Sequence, residues 1–323
     1  MQWRALSEDM PGPKWAGLFR EYWPDYKKWW LKEGDSARPT YLECQRALKQ
    51  HMPEILPLYE ELCALAGGGD QAARFLSFYC PPPYLSGCSQ AIWTGEEPVL
   101  VRNYDYNPNA FDSLILRTRW QGRQVMGTSD GLFGLVDGIN DAGLAISLTF
   151  GGRRIVGTGF GVPLILRYVL QTCETAKEAG EVLARVPTHM SYNVTVLDAK
   201  RQYLTAMMSP DRKAAITHAA VATNHQENVE WISHARFTAT VERERFLLQR
   251  LTLHRDPEEK FIGAFLRPPL YSTAFKAGFG TLYTAVYRPR LGEMETRWPG
   301  TVWPQTFDRF QEGGRRVQIP GAA

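Results

Sequence analysis

Gly87-Cys88-Ser89, followed at short range by Arg102-Asn103-Tyr104-Asp105-Tyr106, is the stretch whose residue types could do chemistry. A cysteine that becomes a new N-terminus carries nucleophile and base together. Its thiol attacks and its own freed α-amine takes the proton. The unperturbed pKa values of amine and thiol are close, at roughly 8 and 8.5, so modest tuning poises the pair near neutrality. The sequence thus points to a chain that cuts itself between Gly87 and Cys88, in a strained or tightly bent linker after Pro81-Pro82-Pro83. The plain alternative for a free cysteine is a small buried hydrophobe. That reading suits Cys44, Cys63, Cys80 and Cys173, which sit in helical or linker sequence.

Other residues fit around such a nucleophile. Asp105 is expected beside Cys88, holding the α-ammonium or the thiol, with Arg102 as the compensating charge. Tyr104, between them, is placed at the substrate. Thr223-Asn224-His225 ends a strand, and an acyl-transfer enzyme needs a donor for the negative charge that builds on the carbonyl oxygen. The Asn224 amide is assigned that task. Thr149-Phe150-Gly151-Gly152 offers a second donor through the backbone near Phe150, or a pocket wall. Asn193, polar among apolar neighbours, lines the pocket or bonds to the backbone. Six histidines, at 51, 189, 218, 225, 234 and 254, leave a His-assisted cysteine hydrolase as a minor alternative.

The elements that must position these groups change character at Cys88. Residues 1 to about 80 read as helical, with Trp15, Leu18, Tyr22, Trp23, Tyr26, Trp29 and Trp30 at three- and four-residue spacing and a stop at Gly67-Gly68-Gly69. After Cys88 short strands are expected at 91–93, 99–101, 113–118, 124–127, 132–136 and 144–150. Helices follow at 161–173 and from the Thr175 cap to about Arg185, then strands at 193–197 and 219–223. Helices at 229–252 and 257–266 precede strands at 282–286 and 294–298. Two antiparallel sheets packed face to face with helices outside both would fit that order.

Composition limits the partners. The 323 residues are 44% hydrophobic, enough for one large core or two. With 37 basic and 34 acidic residues the net charge is only +3, which favours neither nucleic acid nor a membrane surface. The first residues do not read as a secretory leader, and no apolar run reaches membrane-spanning length. Five widely spaced cysteines without a CxxC pair argue against a zinc site or disulfide framework, so a cytoplasmic protein without metal is expected.

Together, Gly87-Cys88, Arg102-Asn103-Tyr104-Asp105, the Asp137-to-Leu144 segment and Thr223-Asn224-His225 resemble the N-terminal-nucleophile amide hydrolases of the choloylglycine hydrolase and penicillin acyltransferase type. The sequence is most similar to peptidase family C45, the branch that includes acyl-CoA:6-aminopenicillanic acid acyltransferase. The resemblance implies an α+β fold, a four-layer αββα sandwich, with an N-terminal helical segment. It implies self-cleavage into residues 1–87, a prosegment retained as a small subunit, and a catalytic domain, residues 88–323. It makes Cys88 the nucleophile, Asp105 its anchor, Arg102 the arginine of the same motif, Asn224 the oxyanion asparagine and Arg236 a later active-site arginine. Thr149 falls where the bile salt hydrolases have asparagine. The implied activity is amidase action on linear C–N bonds of N-acylated small molecules, without cofactor. The alternatives are acyl transfer from a thioester such as acyl-CoA and an inactive binding relative. The cleaved pieces are expected to stay together, and a homo-oligomer is left open.

Overall fold

The structure, a computed structural model, describes residues 1–254 and 256–321; Arg255, Ala322, Ala323 and the side chain of His254 lie outside the described set. The chain runs β1 (Gln2–Glu8), α1 (Pro13–Trp30), α2 (Tyr41–His51), α3 (Leu56–Leu65), α4 (Asp70–Leu76), β2 (Gly87–Trp93) and β3 (Val99–Tyr106). It continues through β4 (Leu114–Thr118), β5 (Val125–Asp130), β6 (Gly134–Asn140), β7 (Leu144–Phe150), α5 (Val162–Thr172) and α6 (Ala176–Arg185). Next come β8 (Tyr192–Asp198), β9 (Tyr203–Ser209), β10 (Arg212–Thr217), β11 (Val221–Ala222), α7 (Ile232–Phe237), α8 (Thr240–Gln249) and α9 (Glu258–Ala264). It ends with β12 (Thr273–Ala274), β13 (Phe279–Arg288), β14 (Glu293–Trp298), β15 (Thr301–Thr306) and β16 (Gly313–Arg316).

The strands form a nine-stranded sheet, β10-β9-β8-β7-β6-β5-β4-β1-β16, and a seven-stranded sheet, β11-β2-β3-β13-β14-β15 with β12 paired to β13. The sheets face one another, and α5 and α6 cover the nine-stranded sheet while α8 and α9 cover the other. This is the expected α+β, four-layer αββα sandwich. The layering explains the sequence of the central strands. β7 is buried along its whole length because helices lie on one face and the second sheet on the other, so apolar residues need not alternate. Polar side chains between the sheets pair across the gap. Ser147 Oγ donates to Gln90 Oε1 at 2.6 Å, and Gln90 Nε2 donates to Thr195 Oγ1 at 2.8 Å. The outer helices are pinned by side chains from the sheets: Asn140 Nδ2 donates to the carbonyls of Leu170 and Cys173, and Asn103 Nδ2 to those of Phe265 and Leu270. Thr175 starts α6 with a capping box to Glu178, as the sequence signals.

Four expectations need correction. The first segment is not all helical, since Gln2–Glu8 is a strand that pairs with β4 and β16. Its alternation is short: Trp3 and Ala5 are buried and their neighbours less so. The β1–β4 pair is parallel, so the nine-stranded sheet is mixed. The 229–252 helix is two helices, broken where Ala239 takes a left-handed φ of 47°. The bend in the linker lies upstream of the expected cut. Phe78 and Cys80 have φ of 51° and 46°, whereas Gly87 and Cys88 belong to regular β2.

The N-terminal segment is built into the body. Trp3 is fully buried, with edge-on ring contacts to Tyr283 and Trp298 at 5.1 and 5.2 Å between centroids. Trp15, also fully buried, donates from Nε1 to the Leu132 carbonyl at 2.9 Å.

Candidate active site

β2 and β3 pair so that Cys88 faces Tyr104 and Gly87 faces Asp105. Directly paired residues project to the same side of a sheet, and neighbours along a strand to opposite sides. Cys88, Arg102 and Tyr104 therefore share the face turned to the other sheet. Asp105 and Ser89 share the face turned to α8.

On the inner face the buried Cys88 Sγ lies 3.3 Å from Arg102 Nη2 and 3.8 Å from Ser86 Oγ. Arg102 is fully buried and is held by the Leu148 carbonyl at 2.8 Å and by Asp137. Asp137 in turn accepts from the hydroxyls of Tyr283 and Tyr287, each at 2.6 Å. The Arg102 guanidinium also lies over the Tyr104 ring, 4.5 Å from its centroid. Burial pushes the Cys88 thiol up from its ordinary pKa, and the Arg102 charge pulls against that shift without cancelling it.

On the outer face Asp105 accepts from Thr281 Oγ1 at 2.6 Å and lies 3.5 Å from Arg243 Nη1. Burial raises the Asp105 carboxyl, opposed by Arg243, Thr281 and Arg102. Arg243 is the hub of this side. Its Nη1 donates to the Cys88 carbonyl at 2.8 Å and to Ser89 Oγ at 2.7 Å, and its Nη2 to Asn224 Oδ1 at 2.6 Å. Asn224 Oδ1 also accepts from the Cys88 backbone N at 3.1 Å.

The assembled site differs from the expected one at several residues. Arg102 and Asp105 do not pair; each has its own partner, Asp137 and Arg243. Asp105 lies beside the Gly87–Cys88 backbone rather than the thiol. Arg236 is exposed on α7, and the arginine that reaches Asp105 and Asn224 is Arg243 on α8. Asn224 presents oxygen, not nitrogen, to Cys88, and its Nδ2 donates to the Phe150 carbonyl at 3.2 Å. Thr149 and Asn193 hold the Asn224 loop, Asn193 through backbone bonds, one of the two roles expected of it. Thr149 Oγ1 donates to the Thr223 carbonyl at 2.7 Å, and Asn193 Nδ2 donates to the carbonyls of Thr223 and His225 at 3.0 and 2.9 Å. Gly152, with φ of 68°, lets that loop approach; a Cβ there would stand 2.2 Å from the Asn224 carbonyl oxygen. His225 is committed elsewhere, with Nδ1 2.9 Å from Thr240 Oγ1 and Nε2 3.3 Å from Glu244. A Cys–His pair gains no support from this geometry. A cavity of about 220 Å³ lies on the outer side, walled by Gly87, Asp105, Arg243, Tyr271 and Phe279.

Sequence reasoning missed Arg243 and the Asp137 partnership. A signal for Arg243 exists: Thr240, Arg243 and Leu247 form the inward stripe of α8, so an arginine stands at a core position.

The thiol thus faces Arg102, while the Cys88 N donates to Asn224, whose oxygen is held by Arg243. The sequence model of the acyl-coenzyme A:6-aminopenicillanic acid acyl-transferase family matches residues 93–303. The chain belongs to this family. Its match covers β3 to β14 and the site residues from Arg102 to Thr281, and leaves out Ser86 to Ser89, Cys88 among them. No curated protein matches the chain. Similar solved structures include a mutant conjugated bile acid hydrolase from Clostridium perfringens, at 10% identity over 72% of this chain and 97% of that one, TM-score 0.47. Penicillin V acylase from Agrobacterium tumefaciens is similar at 15% identity over 69% and 87%, TM-score 0.47. The Caenorhabditis elegans ortholog of N-acylethanolamine-hydrolyzing acid amidase is similar at 15% identity over 72% and 100%, TM-score 0.47. No helix among the described residues is long and apolar enough to cross a membrane.

The Arg102–Asp137 pair makes the first testable claim. Both side chains are fully buried, so removing one leaves the other charge uncompensated. Asp137→Ala is expected to lower the unfolding free energy by about 3–5 kcal/mol in urea denaturation. A loss below about 1 kcal/mol would mean that Arg102 finds other partners.

Proposed function

We propose that the chain is an N-terminal-cysteine amidase that activates itself by cutting at Gly87–Cys88. One observation carries the reading. The same residue presents a thiol to a buried guanidinium and a backbone N to the Asn224 oxygen. That N is an amide in the continuous chain, and the cradle around it suits an amine.

Activation begins when Cys88 Sγ attacks the Gly87 carbonyl carbon. The C–N bond breaks as the thiol proton passes to nitrogen, leaving a thioester and a free Cys88 amine. Water then cleaves the thioester to a Gly87 carboxylate and the thiol. In turnover the α-amine takes the thiol proton and the thiolate attacks the substrate carbonyl. The amide C–N bond breaks, and the α-ammonium returns the proton to the leaving amine. Water resolves the acyl-enzyme. The family's name favours a second outcome at this last step, transfer of the acyl group to an amine acceptor.

Denaturing mass spectrometry of the purified protein tests the reading directly. Two species, residues 1–87 and 88–323, are expected, and a single intact chain lacking amidase activity would overturn it. Under native conditions the pieces should remain together, because β1 lies inside the nine-stranded sheet between β4 and β16. A free 1–87 fragment beside a competent remainder would refute retention.

The raised thiol pKa adds a sign to the cleavage rate. While the thiol is mostly protonated, the thiolate fraction grows about tenfold per pH unit. Cleavage of freshly refolded chain should therefore accelerate from pH 7 to 9 when followed by gel densitometry. A flat or falling profile would remove thiolate attack as the limiting step.

A further inference from the structure

Arg167 is the buried charge that the proposed reaction does not use. It stands on α5, which packs against β6, and has no exposed surface. The other buried arginines among the described residues, Arg38, Arg74, Arg102, Arg243 and Arg297, each contact a carboxylate. Arg167 contacts none. Its Nε donates to the Phe133 carbonyl at 3.1 Å and its Nη1 to Thr118 Oγ1 at 2.9 Å, while Nη2 is buried without a partner. The guanidinium carbon lies 5.0 Å from the centroid of the Trp120 ring.

A carbonyl, a hydroxyl and an aromatic ring supply dipoles and no net charge. Burial pushes the guanidinium down to about 9, so it is still a cation at neutral pH. A cation taken out of water is costly unless an opposite charge replaces the hydration it loses. No aspartate or glutamate contributes to the field on Arg167, so a counter-charge has to come from outside the chain.

The surroundings select its kind. Trp120 is buried and its Nε1 also lacks a partner, so a second N–H donor without an acceptor belongs to the ring beside the guanidinium. The Phe133 ring, 6.4 Å from that of Trp120, adds an apolar wall. Two N–H donors in aromatic surroundings suit a small monovalent anion. Phosphate, sulfate or a carboxylate would bring further oxygens that need further donors. Gln171 donates from Nε2 to the Trp120 carbonyl at 2.6 Å, and its unpartnered Oε1 would repel those oxygens. A water would serve Gln171 Oε1 and Nη2 but leave the charge unbalanced. The place also joins the N-terminal segment to the body. Gln121, next to Trp120, donates from Nε2 to the Glu54 carbonyl at 2.6 Å, and Leu132, next to Phe133, accepts from Trp15 Nε1.

We propose that Arg167 Nη2 and Trp120 Nε1 hold a buried chloride ion that fastens α5 and the Trp120 turn where the N-terminal segment meets the nine-stranded sheet. The proposal is independent of the amidase reading, since none of these groups takes part in that chemistry. The test begins with protein dialysed free of halide. Its Tm is measured at constant ionic strength as chloride replaces gluconate, an anion too large to enter a packed interior. Chloride is expected to raise Tm by at least about 2 °C, as a ligand bound by the folded state alone must. Arg167→Met should remove the chloride response. Trp120→Phe, which deletes the Nε1 donor and keeps an aromatic ring, should raise the half-saturating chloride concentration about tenfold. Wild-type crystals soaked in sodium bromide give a readout that needs no variant to fold. An anomalous peak is expected within hydrogen-bond reach of Arg167 Nη2 and Trp120 Nε1. A Tm indifferent to chloride, an equal chloride response in Arg167→Met, or a bromide map without that peak overturns the assignment.

Discussion

Cys88→Ala is expected to stay a single uncut chain and to turn over no amide. In the proposed mechanism both events need the same atom, because Sγ attacks the Gly87 carbonyl and then the substrate. Among the described residues, none has a nucleophilic atom nearer the Cys88 thiol than Ser86. Ser86 Oγ, 3.8 Å from Sγ, has no positioned base beside it, and Arg102 already binds Asp137. Losing a nucleophile that acts as a unit with its base costs on the order of 10⁵–10⁶ in rate. Cys88→Ser should retain slow cleavage, because a hydroxyl can still attack the preceding carbonyl. Folding is a separate question, because Sγ is one of the groups in contact with Arg102 Nη2. The alanine variant should therefore be compared with wild type by thermal melting before its activity is read. A folded Cys88→Ala protein that cleaves, or that hydrolyses amides normally, would remove the mechanism altogether.

How far the sequence carries depends on the range of the interaction. The layer order was legible because each layer announces itself locally: β7 was placed at its true limits and α6 at its Thr175 cap. β1 was not, since its seven residues, QWRALSE, offer little alternation and owe their strand state to β4, more than a hundred residues away. The β9–β10 hairpin was missed too; β10 is half exposed and lacks an apolar pattern. In the site, Cys88 and Asn224 were legible as residues, and their meeting through 3.1 Å was not. Arg102 and Asp105 held one unused clue. Residues three apart on a strand point to opposite faces, so the tetrad could never have closed an ion pair within itself. The true partners, Asp137 and Arg243, come from different layers, one from β6 in the opposite sheet and one from α8 outside.

That division makes the choice between the two arginines decisive. Arg243→Met keeps most of the side-chain volume and deletes five polar contacts at once: the Thr238 carbonyl, the Cys88 carbonyl, Ser89 Oγ, Asn224 Oδ1 and Asp105. Two consequences follow. Asp105, whose carboxyl burial already raises, loses the charge that most opposes that shift and becomes harder to ionise. Asn224 loses one of two donors on Oδ1, so its amide can turn and release the Cys88 N. Breaking a buried pair is worth about 3–5 kcal/mol, equivalent to roughly 10²–10³-fold or more in kcat/KM if the loss falls on the transition state. Arg243→Lys keeps the charge but not the fork that reaches three partners, and should recover only part of the activity. Arg236→Ala, at an exposed position on α7, should remain within about twofold of wild type. Far-ultraviolet circular dichroism and the extent of Gly87–Cys88 cleavage must accompany the rates, so that misfolding is not read as lost chemistry. Full activity in Arg243→Met together with a large loss in Arg236→Ala would return the role to Arg236, and α7 would then have to turn its exposed arginine inward in the working enzyme.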